Sequence, residues 1–186
     1  MNGTVDVAVL VGSLRRASIT RKFARALAKR APTPLALEIV EIRDLALYDE
    51  DLEAKPPAPW TTFRQRIARA DALLFATPEY NRSVPGVLKN AIDVGSRPYG
   101  HNVFGGKPGA VVSVSPGALA AFGANHHLRQ SLVFLDVPTL QQPEVYIGGA
   151  TDLFDDQGNV LKDGTATFLD GFLFAFAAWI EKNRRR

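Results

Sequence analysis

Val5-Asp6-Val7-Ala8-Val9-Leu10-Val11-Gly12-Ser13-Leu14-Arg15-Arg16-Ala17-Ser18 decides the fold. The first seven residues are an apolar run broken only by Asp6, which reads as a strand buried on both faces. Gly12 to Ser18 is a tight polar turn, and the amphipathic, basic segment opening at Ile19 reads as a helix. A strand that runs through a short turn into a helix aims backbone N–H groups at whatever lies beyond the turn. Ser13, Ser18 and Thr20 add hydroxyls there, and Arg15 adds a guanidinium that can bond two oxygens at once. That set suits a doubly charged phosphate. An ordinary helix cap explains one of these hydroxyls, but not three together with an arginine. The turn is neither a G-x-G-x-x-G fingerprint nor a G-x-x-x-x-G-K-[ST] phosphate loop.

Four more apolar runs read as strands, at 37–42, 72–76, 110–114 and, more weakly, around 138–140. Helical patterns fall at 19–30, 60–69, 84–94, 118–134 and about 165–182. Alternating strands and helices imply a parallel sheet covered on both faces, and right-handed crossovers make it doubly wound. The expected fold is α/β and flavodoxin-like: five parallel strands in the order 2-1-3-4-5, helices on both faces, one domain spanning 1–186. Such sheets bind ligands beyond the carboxyl ends of their strands, beside the reversal in strand order. Three polar loops fall at those ends: the first turn, then Pro78-Glu79-Tyr80-Asn81, then Ser115-Pro116-Gly117. The second reads equally well as an ordinary strand-to-helix turn capped by Asn81 or Ser83, or as a ring site in which Tyr80 flanks a flat ring while nearby amides bond its edge. In the third, Gly117 lets backbone approach a ring closely.

With 186 residues, 46% of them hydrophobic, the chain can bury a core without staples. It has no cysteine, which excludes disulfides, thiolate metal centres, Fe–S clusters and a cysteine nucleophile. A net charge of +3 suits a small anionic ligand better than a nucleic-acid groove, so no nucleic-acid partner is expected. No run approaches the roughly 20 apolar residues that cross a bilayer, and the first run does not read as a secretion signal. A cytoplasmic protein without a membrane partner is the expectation. Arg16, Arg21, Lys22, Arg25, Lys29 and Arg30 read equally well as a ligand-facing patch or as a solvated helix face. His126 and His127 are adjacent on a helix, point about 100° apart and make a poor metal site, so no metal is expected. Asp155-Asp156-Gln157-Gly158-Asn159 lacks calcium-loop spacing and reads as a turn. Neither Ser13 nor Ser115 sits in G-x-S-x-G, so neither reads as a hydrolytic nucleophile. Arg184-Arg185-Arg186 reads as a frayed tail.

The first turn, together with Thr77-Pro78-Glu79-Tyr80-Asn81-Arg82-Ser83-Val84-Pro85-Gly86-Val87-Leu88-Lys89-Asn90-Ala91-Ile92-Asp93, resembles the NADPH-dependent FMN reductase family. It is most similar to that family's bacterial chromate and quinone reductase branch. His127-Leu128-Arg129-Gln130 and Val133-Phe134-Leu135 fit the same branch, and the resemblance runs from about 5 to 149. It implies non-covalent FMN whose phosphate is held by Ser13, Arg15, Ser18 and Thr20, with Leu14, Arg16, Ala17 and Ile19 supplying backbone. It implies Pro78, Glu79, Tyr80 and Asn81 along the isoalloxazine ring, and Ser115, Pro116 and Gly117 over another edge. It also implies a ping-pong oxidoreductase, with hydride passing from the C4 of NAD(P)H to flavin N5 and electrons then to a quinone, chromate, azo dye or flavin. The flavin carries that chemistry, so no side chain is assigned as catalytic. Family members pair through the segment at 84–94, which implies a homodimer or homotetramer. The sequence departs from the family at Thr20 (usually asparagine), Val94 (often tryptophan) and His126 (tyrosine in close relatives). The alternatives are a non-enzymatic FMN electron carrier, a class that is usually strongly acidic, and a regulatory flavoprotein. No dinucleotide motif separates NADH from NADPH.

Overall fold

A computed structural model describes residues 3–184. Strands β1 (Val5–Val11), β2 (Leu35–Val40), β3 (Ala72–Thr77), β4 (Gly109–Val114) and β5 (Val145–Ile147) form one parallel sheet in the order β2-β1-β3-β4-β5. The helices are α1 (Ile19–Arg30), α2 (Ala58–Arg69), α3 (Gly86–Ser96), α4 (Phe122–Phe134) and α5 (Asp163–Asn183). The expected flavodoxin-like topology is therefore present.

Successive β1 side chains enter opposite cores, because the strand period is two. Val5, Val7, Val9 and Val11 join Phe23 and Leu27 of α1 and Phe172 and Phe176 of α5. Ala8 and Leu10 join Trp60 and Phe63 of α2, Leu88 of α3 and Leu128 of α4. A strand covered on both faces must be apolar throughout, which is why its run is continuous. Asp6 lies near the open start of the strand, where both Arg66 guanidinium nitrogens donate to it at 3.0 and 2.8 Å.

Several boundaries differ from expectation: α3 runs Gly86–Ser96 rather than 84–94, β2 ends at Val40 rather than 42, and the fifth strand differs most. Residues 138–140 do not form it. They run beside the start of β4, where Gly109 N–H donates to Pro138 O at 3.0 Å and Leu140 N–H donates to Gly109 O at 2.8 Å. Pro138 has no N–H to extend a ladder, and the strand forms only after Pro143, with Val145 opposite Val112. β2 starts at Leu35, which pairs with Val5, two residues before the expected start. α4 starts at Phe122 rather than near 118, because Ala120 and Ala121 are left-handed (φ 52° and 59°), a conformation that interrupts a right-handed helix. α2 starts two residues early because Pro59 sits in its first turn, where a missing N–H costs nothing.

The 155–159 segment is a turn, with Asn159 N–H donating to Asp155 Oδ1 at 2.7 Å. That backbone bond is the largest influence holding the Asp155 carboxyl below its usual range. Arg184, expected in a frayed tail, approaches Asp71 at 3.7 Å, while Arg185 and Arg186 lie outside the described residues. Among the described residues, no helix is long and apolar enough to cross a membrane.

Candidate active site

All three polar loops meet at the carboxyl edge of the sheet, after β1, β3 and β4. Gly12 N–H donates to Ala76 O at 2.9 Å and carries the β1–β3 ladder one residue further. A Cβ at Gly12 would lie 3.1 Å from Leu88 Cδ2 and 3.2 Å from Pro78 Cδ. Glycine is thus what lets the first loop pass this close to the second.

The first loop is open. Among the described residues, no protein acceptor bonds a backbone N–H of residues 13–20. Ser18 caps α1, its Oγ accepting from Arg21 N–H at 3.1 Å. That leaves its own O–H free to donate. Ser13 is 5% exposed, and its hydroxyl has no partner among the described residues. Thr20 is buried in the first turn of α1. Arg15, Arg16 and Ala17 are exposed.

The other basic residues of α1 are committed elsewhere. Arg21 forks onto Glu41 at 2.6 and 2.7 Å. Lys22 pairs with Asp156 at 2.7 Å, and Arg25 donates to Asp156 O at 3.2 Å. Lys29 bonds Asn159 Oδ1 at 3.0 Å and Arg30 bonds Asp170 at 2.7 Å. These contacts leave Arg15 and Arg16 as the basic residues here with neither an ion pair nor a side-chain hydrogen bond among the described residues. Sequence reasoning missed Arg43, whose guanidinium donates to Leu14 O and fixes that peptide's orientation. Its one signal was a cation just past the second apolar run.

The second loop closes on itself. Tyr80 N–H donates to Ser83 O at 3.1 Å and Ser83 N–H to Tyr80 O at 2.9 Å. Between them Asn81 (φ 50°) and Arg82 (φ 63°) are both left-handed, which is the geometry of a type I′ turn. The side chain of Glu79 turns away from the loop toward α4. Its Oε2 accepts from Ala124 N–H at 3.1 Å, and its Oε1 accepts from Arg82 Nη1 at 3.3 Å. Ala121 caps α4 and has no side-chain acceptor. Glu79 therefore supplies both the missing acceptor and a negative charge at the positive helix end. A Cβ at Gly123 would sit 2.8 Å from Arg82 O and 2.9 Å from Glu79 Oε2, so only glycine permits this contact. His127 Nδ1 and Ser83 Oγ share a hydrogen bond of 3.0 Å. Tyr80, half exposed, and the exposed Asn81 have side chains with no hydrogen bond among the described residues.

The third loop is tied to the end of β5. Ser115 N–H donates to Ile147 O at 2.9 Å, and Ala150 N–H donates to Ser115 O at 3.1 Å. Ser115 Oγ donates to Gly117 O at 3.0 Å, so its proton stays within the loop. Pro116 and Gly117 are exposed. Beneath them lies a buried polar chain. Ser113 Oγ donates to Ala120 O at 2.8 Å, Asn125 donates to Ser113 Oγ at 3.3 Å, and Arg129 donates to Asn125 Oδ1 at 2.9 Å. This network holds the left-handed alanines in place. His126 Nε2 lies 2.9 Å from Tyr146 Oη, whereas His127 faces Ser83, so the two rings diverge as expected of helix neighbours. Burial, then the nearby Glu144 carboxylate, pushes the Tyr146 phenol up to about 12.

The family model described as NADPH-dependent FMN reductase matches residues 5–152 of this chain. The chain belongs to the NADPH-dependent FMN reductase family. It is 63% identical over 185 residues to a quinone reductase of Pseudomonas putida, covering 99% of each sequence. It is 45% identical to a 2-hydroxy-1,4-benzoquinone reductase of a Burkholderia species, covering 97% of this chain and 98% of the other. Among solved structures it is similar to FerB, a flavoenzyme NAD(P)H:(acceptor) oxidoreductase from Paracoccus denitrificans. That match has a TM-score of 0.92 and 42% identity, covering 97% of this chain and 100% of the other.

As a member of this family of reductases, the protein takes FMN as cofactor and NAD(P)H as co-substrate. The residues present fit FMN. A doubly charged phosphate needs donors, and residues 13–20 offer unpartnered N–H groups, the Ser13 hydroxyl and the free Arg15 guanidinium. A flat ring needs a wall and edge donors. The second loop offers Tyr80 with the N–H groups of Glu79 and Asn81, and the third offers that of Gly117, all three without an acceptor among the described residues.

Proposed function

We propose that this FMN reductase oxidises NAD(P)H and reduces quinones by a ping-pong mechanism, with chromate, azo compounds and free flavins as further acceptors. The observation that carries the reading is the open first loop facing the self-closed second loop across one sheet edge. The naming of similar proteins as quinone reductases supports the acceptor class. When bound, FMN supplies the two-electron chemistry, accepting a hydride equivalent from the nicotinamide and passing electrons to the acceptor. In this reading Ser13, Arg15, Ser18 and Thr20 hold the phosphate, together with the backbone of Leu14, Arg16, Ala17 and Ile19. Pro78, Tyr80 and Asn81 line the ring, with Glu79 contributing its N–H while its carboxylate anchors α4. Ser115, Pro116 and Gly117 cover another edge. No side chain serves as acid or base: the carboxylate of Glu79 and the His127 ring are both held by protein partners.

The decisive experiment mixes FMN-loaded enzyme anaerobically with NADPH or NADH. The flavin absorbance should bleach, and initial rates at several quinone concentrations should give parallel double-reciprocal lines. Intersecting lines would exclude ping-pong turnover. Absence of bleaching would instead mark a carrier or regulatory flavoprotein.

The whole chain acts as one cytoplasmic FMN-binding domain that assembles into a homodimer or homotetramer. Tyr99, Val133 and Phe134 are 86%, 77% and 85% exposed. Tyr99 and Phe134, with Ile92 and Leu135, help line a hollow of about 570 Å³ between the ends of α3 and α4. Apolar surface of this kind is ordinarily covered by a partner, and a two-fold dimer is the commonest arrangement. Sedimentation equilibrium at micromolar protein should give at least twice the 20.2 kDa chain mass. A fully active monomer would remove this part of the proposal.

A further inference from the structure

We propose a second anion site, at the amino edge of the sheet, where Arg64, Arg97, His101 and Lys107 line a hollow that takes a phosphate group. The hollow measures about 600 Å³, and no carboxylate is among its lining residues. It forms where the carboxyl ends of α2 and α3 meet the segment leading into β4. β3 and β4 are six residues each, so about 20 Å of sheet separates it from the first loop.

Cations at helix carboxyl ends have an ordinary explanation, since they meet unpaired carbonyls and the negative end of the dipole. That explanation covers Lys107, whose Nζ donates to Ala68 O at 2.9 Å and Ala70 O at 2.7 Å. It also covers one edge of Arg64, whose Nε donates to Val94 O at 2.8 Å. It leaves three groups over. Arg64 lies over the Trp60 ring at 5.4 Å, and its buried Nη2 has no hydrogen-bond partner among the described residues. Arg97 lies over the Tyr48 ring at 5.8 Å and has no carboxylate partner among the described residues. The His101 ring is exposed and makes no hydrogen bond among the described residues.

A buried guanidinium nitrogen without an acceptor is costly, and native structures seldom leave one. Two guanidinium groups that stack on aromatic rings and keep N–H groups without acceptors, beside an ammonium, are a donor set that matches a tetrahedral oxyanion, with bonds to more than one oxygen. Burial also lowers the Lys107 ammonium from its usual range, a cost that a neighbouring anion would offset. The closest acidic groups have other partners. Asp6 is paired with Arg66, and Asp71 accepts from Asp6 N–H and approaches Arg184. The hollow is thus lined by cations, with Asp71 and Asp6 acting on Lys107 only from outside its lining, and it is separate from the flavin cleft.

The test uses FMN-saturated enzyme, so that the phosphate subsite of the first loop is already filled. Inorganic phosphate is titrated by calorimetry at constant ionic strength in chloride, and glycerol phosphate is titrated in parallel. One saturable site per chain should appear, with affinity near or tighter than about 1 mM. Arg64→Gln and Arg97→Gln should each weaken it about tenfold through loss of a charged hydrogen bond, with FMN content and quinone turnover unchanged. Equal affinity for the two probes assigns the site to free phosphate, and tighter glycerol phosphate assigns it to a phosphorylated metabolite. Lack of saturable binding, or binding that both variants leave intact, overturns the proposal. Should Arg64→Gln fail to fold, Arg97→Gln decides alone, because that guanidinium makes no hydrogen bond among the described residues.

Discussion

Among the described residues, 13–20 leave their backbone N–H groups without protein acceptors, whereas 79–83 are tied to one another and to α4 by backbone and side-chain links. Both segments follow a strand and lead to a helix at the same sheet edge. In the proposed reading the first is completed by its ligand. The second keeps its shape without one, held by a two-residue turn, a carboxylate on a helix end and a serine–histidine bond. Binding energy should therefore come from the first loop, and the shape of the ring pocket from the second.

The sharpest way to break that division is Arg15→Ala. Arg15 is exposed and makes no ion pair, so its removal should leave folding intact. Charged hydrogen bonds are worth roughly 1.5–3 kcal/mol, so FMN affinity should fall about ten- to a hundredfold. Riboflavin, which lacks the phosphate, should bind nearly as before. Equal losses for the two ligands would mean that Arg15 does not read phosphate.

Next in size is Glu79→Ala. It removes the acceptor that Ala124 N–H uses and the charge at the start of α4. Loss of such a cap costs about 1–2 kcal/mol of stability, readable by chemical denaturation. Turnover should fall more than FMN affinity, because the loop loses its anchor while the phosphate keeps its donors. Glu79→Gln keeps an oxygen acceptor without the charge and should recover part of both. If Glu79→Ala weakens FMN as much as Arg15→Ala does, the contrast between the loops collapses.

Elements governed by local pattern were legible in the sequence. β1 and α1 run as expected, because a strand buried on both faces and an amphipathic helix capped by Ser18 each carry their own signature. The convergence of the three loops followed from topology alone. What escaped is non-local or unmarked. Glu79 reads as a ligand contact, and the structural role of its carboxylate emerges only when the fold brings Ala124, 45 residues away, to it. Arg43 reaches Leu14 across 29 residues. The basic face of α1 is neutralised largely from residues 156–170, which no local window joins to it. Ala120 and Ala121 carry no side-chain mark of a left-handed backbone, so the start of α4 was placed too early. β5 is three residues long, too short for its alternation to stand out against 138–140.

The smallest effect belongs to Arg82→Gly, and it tests whether the second loop is held by shape or by charge. Arg82 occupies the second central position of a turn that favours glycine there, with φ at 63°. A left-handed residue with a Cβ is strained by about 1–2 kcal/mol, which glycine relieves. Glycine's larger unfolded-state entropy returns roughly 0.5–1 kcal/mol of that. The Arg82–Glu79 pair is 3.3 Å long with the arginine 73% exposed, and exposed pairs of this kind contribute about 0–1 kcal/mol. The balance predicts a change within about 1 kcal/mol, on the stabilising side, in a urea titration of the FMN-free protein. Glu79 keeps its bond to Ala124 in this variant, so turnover should hold. A loss larger than that would mean the ion pair, rather than the turn, fixes the loop. The second loop would then depend on charge as the first does.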